Sequence, residues 1–232
     1  MRAMILAAGR GERLGDLTLD TPKPLLSVGR EGEDSPLFST LRALSRAGFA
    51  DAVINVSHLG EQILAAVGGG ERFGMRVVYS EEPTPLETAG GARLALSRGL
   101  LGVDNAPFVL VNGDVMTDYD FSRLRTAELT GLCRLVLVPN PPEHPNGDFS
   151  LDADWRLTRV DSGNPLTYSG VGLFSPELFS SLRPGKSARL GPLLFKAAAE
   201  GRAAFEVHAG SWHDIGHPDA FARAWREWVA PQ

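Results

Sequence analysis

Leu6-Ala7-Ala8-Gly9-Arg10-Gly11-Glu12-Arg13-Leu14, followed by Thr21-Pro22-Lys23-Pro24-Leu25, carries the densest chemical information in this chain. Just ahead of it, Ala3-Met4-Ile5-Leu6 is a short apolar run that predicts a strand buried on both faces. Ala7, Ala8, Gly9 and Gly11 keep side-chain bulk low, so backbone N–H groups can approach an anion or a base edge closely. Arg13 offers a planar fork of donors suited to phosphate oxygens, and Lys23 a compact charge on a flexible stem. Pro22 and Pro24 fix their own φ and bias Thr21 and Lys23 towards extended backbone. A small-residue turn after a strand, with an arginine and a lysine close behind, predicts a grip on a polyphosphate.

Two other phosphate loops do not fit. Gly9 to Leu14 begins like the dinucleotide fingerprint, but Leu14 stands where its third glycine belongs. No Gly-Lys-Ser/Thr follows, so the P-loop pattern fails as well.

The 232 residues, 43% hydrophobic and 22% charged, are compatible with one α/β domain and its core. A formal net charge of −5 opposes nonspecific nucleic-acid binding, which needs a broad basic surface. Small anionic substrates stay open, because a local Arg/Lys cluster with a metal ion can dominate the field of a site. Cys133 is the only cysteine, in an apolar run that makes a buried, inert thiol the better reading. No secretory signal or membrane span is evident, and a cytoplasmic location is the default expectation.

Hydrophobic periodicity predicts strands at 52–56, 75–79 and 108–111, with helices at 36–47, 60–67 and 90–96 between them. This alternation implies a Rossmann-like, mainly parallel mixed sheet with helices on both faces and ligands beyond the carboxyl ends of its strands. From Leu132 onward, strands are expected at 135–138, 149–151, 155–160 and 168–174. Helices at 176–182 and 190–200, a strand at 203–207 and a helix at 218–229 complete the pattern. With no long linker in between, residues 1–131 and 132–232 read as two parts of a single domain. Phe221, Ala224, Trp225 and Trp228 in the last helix are expected to pack into the core.

Asp114 follows a strand in Val111-Asn112-Gly113-Asp114-Val115, and Asp214 lies in Trp212-His213-Asp214-Ile215-Gly216-His217-Pro218. Two carboxylates from distant segments suit Mg²⁺, which keeps one or two protein carboxylates beside phosphate and water. Either aspartate alone reads better as a turn or cap residue. His213 and His217 sit four apart, but Gly216 and Pro218 break any helix there, so they are not expected to form a zinc pair.

The stretch from Leu6 to Leu25 resembles the signature of sugar-1-phosphate nucleotidylyltransferases, and later segments agree in order and spacing over nearly the whole chain. The resemblance implies the nucleotidyltransferase type of α/β fold, with UTP and a sugar-1-phosphate as substrates, Mg²⁺ on Asp114 and Asp214, and a monomer or small homo-oligomer. It implies catalytic roles for Arg13 and Lys23, and nucleotide contacts from Leu6, Ala7, Ala8, Gly9, Gly11, Glu82, Thr88 and Gly90. Counting back from the turn in Ser80 to Gly91 selects Glu82 rather than Glu81 as the acceptor for the base. On the sugar side it implies Asn112, Gly147, Asp148, Ser169, Gly170 and Arg189. The common Glu-Lys-Pro motif is replaced by Val160-Asp161-Ser162-Gly163-Asn164-Pro165, which leaves Arg189 as the candidate for the sugar phosphate, against a plain surface arginine.

Glu87 in Pro85-Leu86-Glu87-Thr88 stands where many relatives have glycine. That departure resembles the muramic-acid branch and speaks against guanylyl transfer. Mannose-1-phosphate guanylyl and glucose-1-phosphate thymidylyl transfer are the alternatives within the class. A silent nucleotide-binding module and an NAD-dependent oxidoreductase are those outside it.

Overall fold

The computed structural model describes residues 1–28, 34–102, 105–159 and 165–228. Most of the loop from Arg30, the segment 160–164 that replaces Glu-Lys-Pro, and the last residue of the expected terminal helix, Val229, lie outside the described residues.

Eleven strands are described. They are β1 (Ala3–Leu6), β2 (Asp51–Val56), β3 (Arg76–Glu81), β4 (Phe108–Asn112), β5 (Val115–Thr117) and β6 (Cys133–Pro139). β7 (Phe149–Leu151), β8 (Leu157–Arg159), β9 (Leu166–Phe174), β10 (Ala203–Val207) and β11 (Trp212–Asp214) follow. The helices are α1 (Pro36–Arg46), α2 (Gly60–Val67), α3 (Glu87–Ser97), α4 (Ser122–Thr126), α5 (Gly191–Ala199) and α6 (Pro218–Trp228).

The main sheet runs β10-β6-β9-β4-β1-β2-β3, with the β7–β8 hairpin attached beside β9. β1 pairs in parallel with both β2 and β4, and β2 with β3. β9 is antiparallel to β4 and β6, while β10 is parallel to β6. The result is the expected mainly parallel α/β sheet, and strands from both halves of the sequence share it. The chain builds outward from β1 to β3 and then returns to β4 on the other side. That reversal leaves a crevice at the carboxyl end of β1, where ligands settle in such sheets.

Alternation on β1 sends Ala3 and Ile5 to one face and Met4 to the other, and all three are fully buried. The first face packs on Leu37, Leu41 and Leu44 of α1, the second on Ala89, Ala92 and Ala95 of α3. Ser35 caps α1 by accepting a bond from the Phe38 N–H at 3.2 Å, and Pro36 occupies its first position.

Several boundaries differ from the sequence reading. α3 begins at Glu87 rather than Gly90, and β3 extends through Glu81. The segment from Pro176 is a short 3₁₀ turn ending at Phe179 rather than a helix to Leu182, although Leu178, Phe179 and Leu182 keep helical spacing; Pro184 and Gly185 follow closely and leave no room for a longer helix. The antiparallel pair β5–β11 was not anticipated, because two three-residue strands carry almost no periodicity. In α6, Phe221 and Ala224 pack against Leu14, Leu26 and Ile215, but Trp225 is 43% exposed, so the expected aromatic core face is only partly realised.

Candidate functional site

Beyond Leu6 the chain leaves the sheet and folds back on itself. Gly11 has φ +70°, and a Cβ there would lie 2.9 Å from Thr18 Cγ2 and 3.2 Å from Lys23 Cβ, so only glycine permits this turn. The Ala7 N–H is already taken by Asn55 Oδ1 at 2.7 Å, which removes it as a donor for a ligand. Among the described residues, the N–H groups of Ala8, Gly9, Arg10 and Gly11 meet no protein acceptor. Those of Gly9, Arg10 and Gly11 belong to residues that border a cavity of about 480 Å³, lined also by Leu6, Ala7, Glu12, Arg13, Lys23, Thr88 and Asp114.

The charged groups converge at the mouth of this loop. Lys23, only 10% exposed along its side chain, donates to Asp114 Oδ2 and lies 3.9 Å from Asp214 Oδ1. The β5–β11 pairing produces this meeting: Asp214 sits opposite Val115, and the Ile215 N–H bonds the Asp114 carbonyl at 3.0 Å. A Cβ at Gly216 would lie 2.8 Å from Asp214 Oδ1, 3.0 Å from Arg13 Nη2 and 3.2 Å from Lys23 Nζ. Four side chains from three distant segments thus surround one point.

Asp214 titrates unusually, its pKa pushed up to about 6 by enclosure in the cleft and then by the Asp114 charge. Lys23, the Gly216 N–H and Arg13 act in the opposite sense. Since 44% of its side chain still faces cleft solvent, water screens part of this effect.

The adjoining cavity, about 490 Å³, extends under the carboxyl ends of β1, β2 and β4 and is bordered by Leu6, Ala8, Gly9, Asn55, Glu82, Leu86, Thr88, Asn112 and Asp114. Glu82 is 4% exposed, and burial raises its pKa against the hydrogen bonds that favour its charge. Its Oε1 accepts from Asn55 Nδ2 at 2.7 Å and its Oε2 from the Leu86 N–H at 2.9 Å. Asn55 therefore ties the end of β1 to the loop after β3. It was missed in the sequence, although an amide in the apolar run Ile54-Asn55-Val56 was a usable signal.

Gly90 does not border this cavity. A Cβ there would meet the Lys186 carbonyl at 2.5 Å, and its N–H bonds the Ala188 carbonyl at 3.1 Å, so Gly90 serves packing of α3 on the 186–188 loop. The neighbour Gly91 is the one against the acid, where a Cβ would fall 2.5 Å from Glu82 Oε1.

On the other side of Thr88 lies a smaller cavity of about 280 Å³, bordered by Glu87, Asn112, Asp148, Phe149, Tyr168 and Arg189. Asp148 accepts from the Tyr168 N–H at 2.9 Å and faces His144 Nε2 at 3.2 Å. Ser169 is turned away from it: the residue is 1% exposed, and its hydroxyl accepts from the Val171 N–H. Gly147, at φ +59°, packs on Asn140 and Leu166, and Gly170, at φ +79°, makes room for the Asn112 side chain. Both are thus positioning elements for the neighbouring wall. Arg189 borders this cavity but not the one lined by Lys23 and Asp114, which places it away from the expected sugar-phosphate position.

The two histidines have separate partners. His213 is 4% exposed, faces Glu227 at 3.5 Å, and burial lowers its pKa, whereas His217 lies 3.7 Å from Asp219. Cys133 is fully buried, and burial pushes its thiol up to about 12. Among the described residues, no group of three or more His, Cys, Asp or Glu side chains could hold a metal. The donor set of Asp114 and Asp214 does suit a hard divalent cation completed by phosphate oxygens, and a cationic ammonium already occupies the space between them. No helix of the described residues is long and apolar enough to cross a membrane.

The nucleotidyl transferase family model matches residues 2–229. The chain is 45% identical over 239 aligned positions to an N-acetylmuramate alpha-1-phosphate uridylyltransferase of Neisseria meningitidis, covering 97% of this chain and 100% of that one. It is 30% identical to a mannose-1-phosphate guanylyltransferase catalytic subunit beta of Drosophila pseudoobscura, covering 95% of this chain and 60% of that protein. In fold it is similar, at TM-score 0.85 and 19% identity, to a putative glucose-1-phosphate thymidylyltransferase from Bacillus anthracis, covering 100% and 97% of the two chains.

Proposed function

The chain belongs to the sugar-1-phosphate nucleotidyltransferase family, and from that premise we propose that it transfers a uridylyl group from UTP to N-acetylmuramate 1-phosphate, releasing pyrophosphate. The observation that carries this reading is the convergence of Arg13, Lys23, Asp114 and Asp214 beside the Gly9–Gly11 turn, where Asp114 borders both the cavity of about 480 Å³ and that of about 490 Å³. The acceptor sugar and the uridine are drawn from the Neisseria relative, whose match extends over both chains almost completely.

In this reading an oxygen of the sugar phosphate attacks the α-phosphorus of UTP in line. A P–O bond forms there while the bond to the β-phosphate oxygen breaks, and pyrophosphate leaves with the electron pair. A phosphate monoester has a second pKa of about 6, so the nucleophile is already ionised near neutral pH and no general base is needed. The task of the protein is to align two anions and offset their repulsion. The open N–H groups of the Gly9–Gly11 turn and Arg13 hold the β- and γ-phosphates. Lys23, kept at the junction by Asp114, faces the α-phosphate and the incoming sugar phosphate. Glu82, fixed by Asn55 and Leu86, accepts from the N–H edge of the base, as uracil N3–H or the guanine edge could each provide. Mg²⁺ held by Asp114 and Asp214 would supply further neutralisation of the triphosphate.

Residues 1–131 mainly hold the nucleotide and 132–232 mainly the sugar, with Glu87 and Thr88 bordering both sites. Both substrates are phosphorylated metabolites, which assigns the reaction to the cytoplasm. The test is a matrix of UTP, dTTP, GTP and ATP against N-acetylmuramate, N-acetylglucosamine, glucose and mannose 1-phosphates, followed by pyrophosphate release. Highest kcat/KM for UTP with N-acetylmuramate 1-phosphate is expected, and a preference for GTP with mannose 1-phosphate would overturn the assignment.

A further inference from the structure

The smaller cavity has an apolar wall of Phe149, Leu190, Leu194 and Phe195, and Arg189 is the only cation lining it among the described residues. Arg189 is 81% exposed along its side chain, and its Nε lies 3.8 Å from Glu87 Oε1. Glu87 has φ +61°, a backbone conformation that a residue with a side chain adopts only at a cost. Its side chain is half exposed and borders all three connected cavities, so core packing does not account for its presence there. A residue kept in such a conformation beside a site points to a role in that site.

The phosphate of any sugar-1-phosphate must lie near Lys23 and Asp114, in a cavity that Arg189 does not border. The partner of Arg189 is therefore a part of the sugar remote from its phosphate. A planar guanidinium at the rim of an apolar wall matches a carboxylate carried on a short apolar stem. We infer that Arg189 selects sugar-1-phosphates bearing a carboxylate substituent, and that Glu87 is its internal counter-ion when no sugar is bound. This rests on the activity proposed above, in which the acid ether of N-acetylmuramate is that substituent.

Binding is then an exchange of ion pairs, since one carboxylate leaves Arg189 as another arrives. An exposed pair at 3.8 Å is weak enough to be exchanged. A neutral sugar offers no replacement charge and leaves Glu87 standing between the nucleotide and sugar cavities. Asp148 also borders the small cavity, but its two oxygens are engaged by the Tyr168 N–H and by His144.

The experiment measures kcat and KM separately for the wild type, Arg189→Gln and Glu87→Gly. Each is given UTP with either N-acetylmuramate 1-phosphate or N-acetylglucosamine 1-phosphate, which lacks the acid ether. Arg189→Gln is expected to lower the acid-to-neutral ratio of kcat/KM by about ten- to a hundredfold, chiefly through KM for the acid sugar. Glu87→Gly is expected to lower the same ratio by admitting the neutral sugar. Equal losses on both sugars in Arg189→Gln, or an unchanged ratio in both variants, would overturn the inference while leaving the uridylyl transfer intact. Absence of pyrophosphate from N-acetylmuramate 1-phosphate with the wild type would overturn the proposed activity, and this inference with it.

Discussion

The ammonium of Lys23 donates to the carboxylate of Asp114 across 91 positions of sequence, where the cavity under the strand ends meets the one beside the Gly9–Gly11 turn. A cation held in this way is preorganised towards phosphate and needs little rearrangement during reaction. Lys23→Ala and Asp114→Ala are each expected to lower kcat on the order of a hundredfold or more while the chain stays folded. Pyrophosphate release beside circular dichroism checks this, and wild-type turnover in either variant removes that residue from the mechanism.

Excess chelator is expected to abolish pyrophosphate release, and added Mg²⁺ to restore it. The two carboxylates facing Lys23 cannot complete a coordination shell without phosphate oxygens, so metal affinity should rise when UTP is present. Calorimetric titration of Mg²⁺ with and without UTP measures this coupling. Undiminished turnover in chelator would strip Asp114 and Asp214 of a metal role.

Asn55→Ala should damage stability and nucleotide binding together. It leaves the Ala7 N–H and a buried oxygen of Glu82 without their partners, at a cost of about 1–3 kcal/mol. Thermal unfolding should show the loss, and KM for UTP should rise. An unchanged KM for UTP would show that Glu82 holds its place without the amide.

Gly91→Ala and Gly90→Ala separate two functions within one helix. An added Cβ at position 91 presses on Glu82 and Asn55, whereas at position 90 it presses on the backbone of Lys186. The first is expected to weaken UTP binding more than sugar binding. The second is expected chiefly to lower the melting temperature, and the reverse pattern would reject this division.

Cys133 provides a stability change with pH. The folded chain holds the thiol proton to about pH 12, whereas the unfolded chain releases it near the ordinary value of 9. Between these values the unfolded state binds fewer protons, so stability falls as pH rises. Denaturant titrations from pH 8 to 10.5 should show a steeper decline in the wild type than in Cys133→Ala. The thiol should also resist disulfide reagents until the chain unfolds, and rapid labelling of folded protein would contradict its burial.

The opening strand, the turn through Gly11 and the alternation of strands with helices were legible because each depends on neighbours in sequence: apolar periodicity, small side chains, proline and glycine. The same local logic placed Glu82 and Asp114 at strand ends. It failed at β5 and β11, which are too short to carry a pattern, and at Gly90, whose packing partner lies nearly a hundred residues away. Asn55 was overlooked because its importance lies in bonds to two other strand ends.

Sequence by itself determined the class of sheet, the small-residue turn after the first strand and the kinds of charge available, since these follow from local geometry and side-chain chemistry. Only the tertiary structure decided that Asp214 meets Asp114 and Lys23, and that Arg189 faces Glu87 rather than the Lys23 cavity. Such meetings require chain segments to be brought together against conformational entropy by burial of the two cores, and no local pattern encodes which distant partners will then touch.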